Sequence, residues 1–256
     1  MDVIIFGGQS NMQGQTEGLP EQNEQVKGAV EYRFGLKDVI PLCHPVGEDL
    51  GADRMLAAAS EGGGSLVPAF CKSYVQATGR EVMAIHAARG STTIAEWQKG
   101  TQRFHLAAQK IRSGLKKAEE LGGVGRIFYV WLQGESDAII STTEDEYFES
   151  IVRYKNSLKK EFGIEKFGII KVGYFFSISE WHTHVSTYEE KLACDETIMR
   201  AQERAVKNDP DFVMLTRVCG EFSRDKSCIN PKASGHYNNA TMDIIGDLAG
   251  KALAEL

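Results

Sequence analysis

Val3-Ile4-Ile5-Phe6-Gly7-Gly8-Gln9-Ser10-Asn11-Met12 is the stretch on which the reading of the fold turns. Its first four residues are apolar and read as a strand. Gly7 and Gly8 then permit a sharp turn where side chains would clash. Ser10 follows, at the carboxyl end of the strand and near a helix start. In open α/β sheets that edge is where ligands bind, and free N–H groups at a helix start stabilise developing negative charge. An acyl-transfer serine needs this setting. The same residues also read as a plain N-cap serine after a glycine turn, and the local sequence leaves both readings open. The motif is not GxSxG, so the nucleophile elbow of α/β-hydrolases does not apply.

Outward from this stretch, the pattern after residue 64 alternates between helix-like and strand-like segments. Helices are expected over residues 66–77, 102–121, 144–162, 191–207 and 239–256. Strands are expected over 81–86, 126–132, 168–176 and 212–216. The helical readings rest on spacing: Ala107, Ile111, Leu115 and Ala118 recur on one face, as do Met242, Ile245, Leu248, Ala249 and Ala252. Residues 126–132 form a near-continuous apolar run, the habit of a strand at a sheet centre. With the N-terminal strand this makes a five-stranded parallel sheet covered by helices on both faces, in a single domain over residues 1–256. Residues 16–64 fit poorly, with short apolar pieces among Gly, Pro and charged residues. They read as a loop or hairpin insertion, a lid or substrate-side element.

Composition bounds the function. The chain has 256 residues, 42% apolar and 25% charged, ordinary for a globular protein with a full core. A formal charge of −6 argues against a general nucleic-acid binder. No run of about 18 apolar residues occurs, so a membrane span is not expected. The sequence enters its first strand directly, with no signal peptide visible. Its five cysteines are scattered, odd in number and without CxxC, which fits reduced thiols in a cytoplasm better than a disulfide frame.

Three further segments add to the first. These are Ala87-Ala88-Arg89-Gly90-Ser91-Thr92-Thr93-Ile94 with Trp97, Trp131-Leu132-Gln133-Gly134-Glu135-Ser136-Asp137, and Gly235-His236-Tyr237-Asn238. With Gly7–Met12 they resemble, in order and spacing, the GQSNM, glycine, QGESD and histidine segments of SGNH hydrolases. The resemblance is to the carbohydrate esterase family six and sialate O-acetylesterase-like group. It implies a flavodoxin-like α/β/α sandwich, a serine esterase and no metal or other cofactor. It further implies that Ser10 attacks the ester carbonyl and that His236 accepts and returns the proton. The backbone N–H groups of Ser10 and Gly90 and the side-chain amide of Gln133 would hold the oxyanion. Gln9, Asn11, Trp97 and Tyr237 are the candidate substrate contacts. Ser10, Gly90 and Gln133 each follow a different strand, and His236 follows the last, so all four are expected at one sheet edge.

One position departs from the pattern. The group commonly carries Asp three residues before the histidine, and this chain has Ala233 there. Alanine cannot take the Nδ1 proton or set the imidazole tautomer. Another carboxylate or a backbone carbonyl must substitute, or catalysis is weak. Glu135 is the leading carboxylate, with Asp137, Glu180, Glu189, Glu190, Glu221 and Asp225 as further candidates.

Several residues carry two readings each. His86, mid-strand, reads as a packed core histidine rather than a catalytic one. His182 and His184 form an HxH pair near Glu180, read as a solvated or substrate-facing loop ahead of a zinc site. Trp97 either stacks on a sugar or packs the Gly90 loop. Trp181 is a further exposed-loop candidate for sugar contact. Arg89 either meets a ligand or forms a surface ion pair. The function expected is removal of O-acetyl groups from a small-molecule or oligosaccharide ester. A non-catalytic carbohydrate-binding module, or a short-chain thioesterase or lipase, stands as the alternative.

Overall fold

In the computed structural model, residues 1–175, 181–182 and 184–256 are described. The N-terminal apolar strand, β1 (Asp2–Gly8), lies inside the sheet and is buried along its whole length. After it comes one short helical turn, α1 (Ser10–Gln13). The hairpin β2 (Ala29–Arg33) and β3 (Asp38–Pro41) precedes the helix α2 (Val67–Thr78) and strand β4 (Val82–Ala88). Next are α3 (Gln102–Glu120), β5 (Ile127–Leu132), the short α4 (Glu135–Ile139), α5 (Glu144–Phe162) and β6 (Lys166–Ile170). The chain closes with α6 (Tyr188–Asn208), β7 (Phe212–Thr216), the short α7 (Cys219–Phe222) and α8 (Asn239–Ala254).

The sheet has seven strands in the order β3-β2-β4-β1-β5-β6-β7. Only β3 runs antiparallel. The parallel α/β sandwich is thus as expected, but five strands is an undercount. The two additional strands come from residues 16–64. That segment does not form a lid over its middle portion. β2 pairs in parallel with β4 and extends the sheet. The hairpin is tied down by buried charge: Lys110 of α3, with no exposed side chain, lies 2.8 Å from Glu48, and buried Glu31 pairs with Arg33 at 2.8 Å. Short β runs interrupted by Gly and charged residues carry too little alternation to be read as strands in isolation. Their strand character comes from the partner β4.

Two boundaries also shift. The strand expected over 168–176 ends at Ile170, and residue 176 lies outside the described residues. From there the chain leaves the sheet, and side chains satisfy its N–H groups. Gln202 Oε1 accepts from Val172, Ser223 Oγ from Tyr174 and Asp195 Oδ2 from Phe175. Buried N–H groups need such partners wherever no strand supplies them. The helix expected over 191–207 starts three residues earlier, at a capping box in which Thr187 and Glu190 exchange bonds.

Candidate active site

The carboxyl ends of the three central strands finish side by side, with Gly8 of β1 opposite both Ala88 of β4 and Leu132 of β5. Ser10, Gly90 and Gln133 therefore leave the sheet at the same level. Gly8 has φ of +145°, and a Cβ there would stand 2.0 Å from the Leu132 carbonyl oxygen, so the turn into Ser10 admits only glycine. Gly90 is close to Ser10: a Cβ on it would lie 3.3 Å from Ser10 Cβ.

Ser10 and His236, far apart in the sequence, line one cavity of about 280 Å³ together with Gln9, Gln15, Ser91, Thr93, Ser136, Ile139, Ile140, Phe175 and Trp181. Both are buried residues. Neither Ser10 Oγ nor His236 Nε2 has a hydrogen-bond partner among the described residues. The other ring nitrogen, Nδ1, meets the Ser234 carbonyl oxygen at 3.1 Å. A carbonyl can only accept, so Nδ1 carries the proton and Nε2 presents its lone pair to the cavity. Burial pushes the imidazole pKa below its ordinary value, opposed by the Ser234 carbonyl. The phenyl ring of Phe175 stands edge-on to His236, with centroids 5.7 Å apart at 90°.

The sequence match is of the same kind. The family model described as carbohydrate esterase, sialic acid-specific acetylesterase, matches residues 1–213. The chain belongs to this esterase family. It is a carboxylic ester hydrolase that removes O-acetyl groups from carbohydrate. No curated protein sequence matches it. Among solved structures it is similar to a protein from Arabidopsis thaliana, with 16% identity, a TM-score of 0.69 and coverage of 98% of this chain and 97% of the other. NanS is similar at 14% identity and a TM-score of 0.65, covering 98% and 96% of the two chains. A carbohydrate acetylesterase from Xanthomonas citri, XAC1771, is similar at 15% identity and a TM-score of 0.57. The match covers 99% of this chain and 56% of that one. At such identities these likenesses speak for the fold.

Other expected site residues of this esterase stand differently from their sequence reading. Glu135 does not hold His236. Its Oε1 accepts from Asn11 Nδ2 at 2.8 Å, and Oε2 is buried without a partner. Burial pushes its pKa up, with the Asn11 bond opposing. Glu135 reaches the histidine loop only through Asn11, whose Nδ2 also meets the Gly235 carbonyl at 3.4 Å and whose Oδ1 accepts from the Tyr237 N–H. Among the described residues no carboxylate bonds the His236 ring. Asp137 is taken by Gln133, the Ile94 N–H and Thr142, and burial pushes its pKa up to about 6. Glu190 caps α6 and Asp225 accepts from Ser227. Glu180 lies outside the described residues. The backbone carbonyl of Ser234 fills the position left by Ala233.

Two of the three expected oxyanion donors are already engaged. The Gly90 N–H donates to Gln13 Oε1 at 2.8 Å. Gln133 is fully buried, and its Nε2 donates to Asp137 at 2.5 Å and to the Thr92 carbonyl at 2.8 Å. The Ser10 N–H, at the first position of α1, has no acceptor among the described residues.

The candidate substrate contacts divide. Gln9 lines the cavity. Its Oε1 accepts from Gly134, Ser136 and Gln133, while its Nε2 has no partner among the described residues. Asn11 is a buried strut, with its polar atoms spent as described. Trp97 has no exposed surface: it donates to Thr92 Oγ1 at 3.0 Å and stands edge-on to Trp131, so it packs the Gly90 loop and offers no face to a sugar. Tyr237 is buried, and its hydroxyl donates to the Cys219 carbonyl at 3.1 Å. Burial at these positions depends on partners distant in sequence, which is why an aromatic beside a catalytic motif is ambiguous until folded. His86 is a buried core histidine bonded to the Met12 carbonyl. No group of three His, Cys, Asp or Glu residues placed to hold a metal ion occurs among the described residues, which leave out Glu180 beside the HxH pair. Arg89 makes no ion pair among the described residues.

Sequence reading missed Gln15, Ser91, Thr93, Ser136, Ile139, Ile140 and Phe175 as cavity residues. Ser91, Thr93 and Ser136 had a signal in their motif segments, and Gln15 in its place just after the turn that carries Ser10. The rest reach the cavity by packing.

Proposed function

We propose that this esterase deacetylates its carbohydrate through an acyl-enzyme formed on Ser10, with His236 as the base. The observation that carries the reading is the cavity shared by an unpaired serine hydroxyl and an imidazole whose tautomer leaves Nε2 free to accept a proton. In the first step the Ser10 Oγ–carbon bond forms, the carbonyl electron pair moves to oxygen and the Oγ proton passes to Nε2. Collapse breaks the bond to the sugar oxygen, which takes that proton. Water repeats the sequence on the acyl-enzyme and releases acetate. Positive charge on the imidazole is stabilised by the Ser234 carbonyl in place of a carboxylate.

The family description favours O-acetylated sialic acid over acetylated xylan fragments as the substrate. The ring of Trp181 and the side chains of Ile139 and Ile140 give the cavity an apolar wall against which a sugar face packs. No helix among the described residues is long and apolar enough to cross a membrane. The five cysteines carry no disulfide, which supports a reducing compartment such as the cytoplasm.

The test is steady-state hydrolysis of p-nitrophenyl acetate, O-acetylated sialic acid and acetylated xylo-oligosaccharide by wild type, Ser10→Ala and His236→Ala. Both variants should fall by at least about 10³-fold on every substrate, and wild type should prefer the sialic acid ester. Activity that survives Ser10→Ala removes the mechanism. Sugar binding by an inert wild type makes the protein a binding module.

A further inference from the structure

The Gly90 loop was expected to offer an N–H to the substrate carbonyl, yet that N–H is held by Gln13. What Gly90 presents toward the nucleophile is a bare Cα. Against it rests the side-chain amide of Gln15: a Cβ built on Gly90 would meet Gln15 Nε2 at 2.7 Å and Ser10 Cβ at 3.3 Å. The amide and the nucleophile thus flank a single point. Gln15 makes no side-chain hydrogen bond to any described residue. Only its backbone carbonyl is used, accepting from Asn230. Its side chain lines the cavity of Ser10 and His236 and also a neighbouring polar cavity of about 380 Å³ that includes Lys232 and Ala233 of the histidine loop.

An uncommitted amide in this place has a use. The carbonyl oxygen of a bound ester gains nearly a full charge when Ser10 adds to its carbon, and donors fixed beforehand lower that barrier. The Ser10 N–H supplies one donor. We propose that the side-chain amide of Gln15 supplies a second, donating to the ester carbonyl oxygen and more strongly to the oxyanion. Gln15 thereby takes the role that the Gly90 N–H and Gln133 cannot fill while bonded to Gln13, Asp137 and Thr92. The inference rests on Ser10 being the nucleophile.

The experiment compares wild type, Gln15→Ala, Gln15→Met and Ser10→Ala on p-nitrophenyl acetate, which has no sugar, and on an O-acetylated sugar. Gln15→Met keeps the side-chain volume without the donor, and thermal melts check that all variants fold. Both Gln15 variants should lose roughly 100-fold in kcat on both esters, with KM changed less than about threefold. Unchanged kcat on p-nitrophenyl acetate overturns the proposal, whether or not KM for the sugar ester rises, since a rise would mark a sugar-hydroxyl contact instead. Ser10→Ala separates the two levels. If it stays active, the nucleophile reading fails; if it is inert while both Gln15 variants are not, only the Gln15 role fails.

Discussion

On the Ser10 side of the cavity, the buried amides of Gln9, Asn11, Gln13 and Gln133 cross-link the Ser10 turn to its surroundings. Gln9 ties it to the start of α4, Asn11 to Glu135 and the histidine loop, and Gln13 to Gly90 and the Ala58 carbonyl. Gln133 fastens the end of β5 to Asp137 and Thr92. On the opposite side, the ring of His236 meets one carbonyl of its own loop and packs against the Phe175 ring, while its backbone bonds to Ala233 and Asn230. The contrast follows from what each group has to do. The serine must be presented at a fixed angle from a strained turn, and its neighbours have many N–H groups to satisfy. The imidazole needs only its tautomer and its rotation defined. A carbonyl is enough for the first and a packed phenyl for the second.

The comparison can be broken most forcefully at Gln9. Gln9→Ala leaves two donors short of an acceptor, the Gly134 and Ser136 N–H groups, since Gln133 Nε2 keeps Asp137 and Thr92. The expected loss is about 2 kcal/mol of stability, read as a melting temperature lowered by roughly 4–8 °C. A change under about 2 °C would mean that water replaces the cross-links at little cost.

Phe175 tests the other side. Phe175→Ala removes the ring edge from His236 and one wall of the cavity. An edge-on aromatic contact is worth about 1 kcal/mol, so kcat/KM on p-nitrophenyl acetate should fall roughly fivefold. An unaltered value would show that the Ser234 carbonyl orients the imidazole unaided.

The smallest effect is expected from restoring what the chain lacks. Ala233→Asp puts a carboxylate three residues before His236. As the proposed base, His236 would work when neutral, so activity is expected to fall as pH drops through its pKa. Burial places that limb below the ordinary 6.5 in the wild type. A carboxylate favours the imidazolium, so the limb should move up by about one pH unit, with kcat at its plateau altered by less than about fivefold. A much larger gain in kcat would show that the carbonyl is a poor substitute and that this enzyme is catalytically impaired.

How much was legible before folding varied with the range of the interactions. The helices 144–162 and 239–254 and the strand 212–216 were readable because their apolar period and end caps are local. Residues 16–64 read as a loop or hairpin insertion, but that the hairpin of residues 29–41 joins the sheet was not legible, since β2 becomes a sheet strand by pairing with β4. In the site, the four motif segments, and with them Ser10 and His236, could be placed at one sheet edge from strand order alone. The fate of each polar side chain could not. Gln133 reads as an oxyanion donor and Trp97 as either a sugar platform or packing for the Gly90 loop, and both are spent inside the protein. Gln15, which no motif marks, lines the cavity with a side chain that bonds to none of the described residues.

The amino-acid sequence by itself determined the alternating α/β order, the turn that lifts Ser10 from its strand and the absence of a carboxylate at position 233. Each of these is written in neighbouring residues. Which carbonyl replaces that carboxylate, which amides brace the turn and which remains open to a ligand were decided only by tertiary structure. A hydrogen-bonding group is committed or free according to what packs against it, and those partners come from distant parts of the chain.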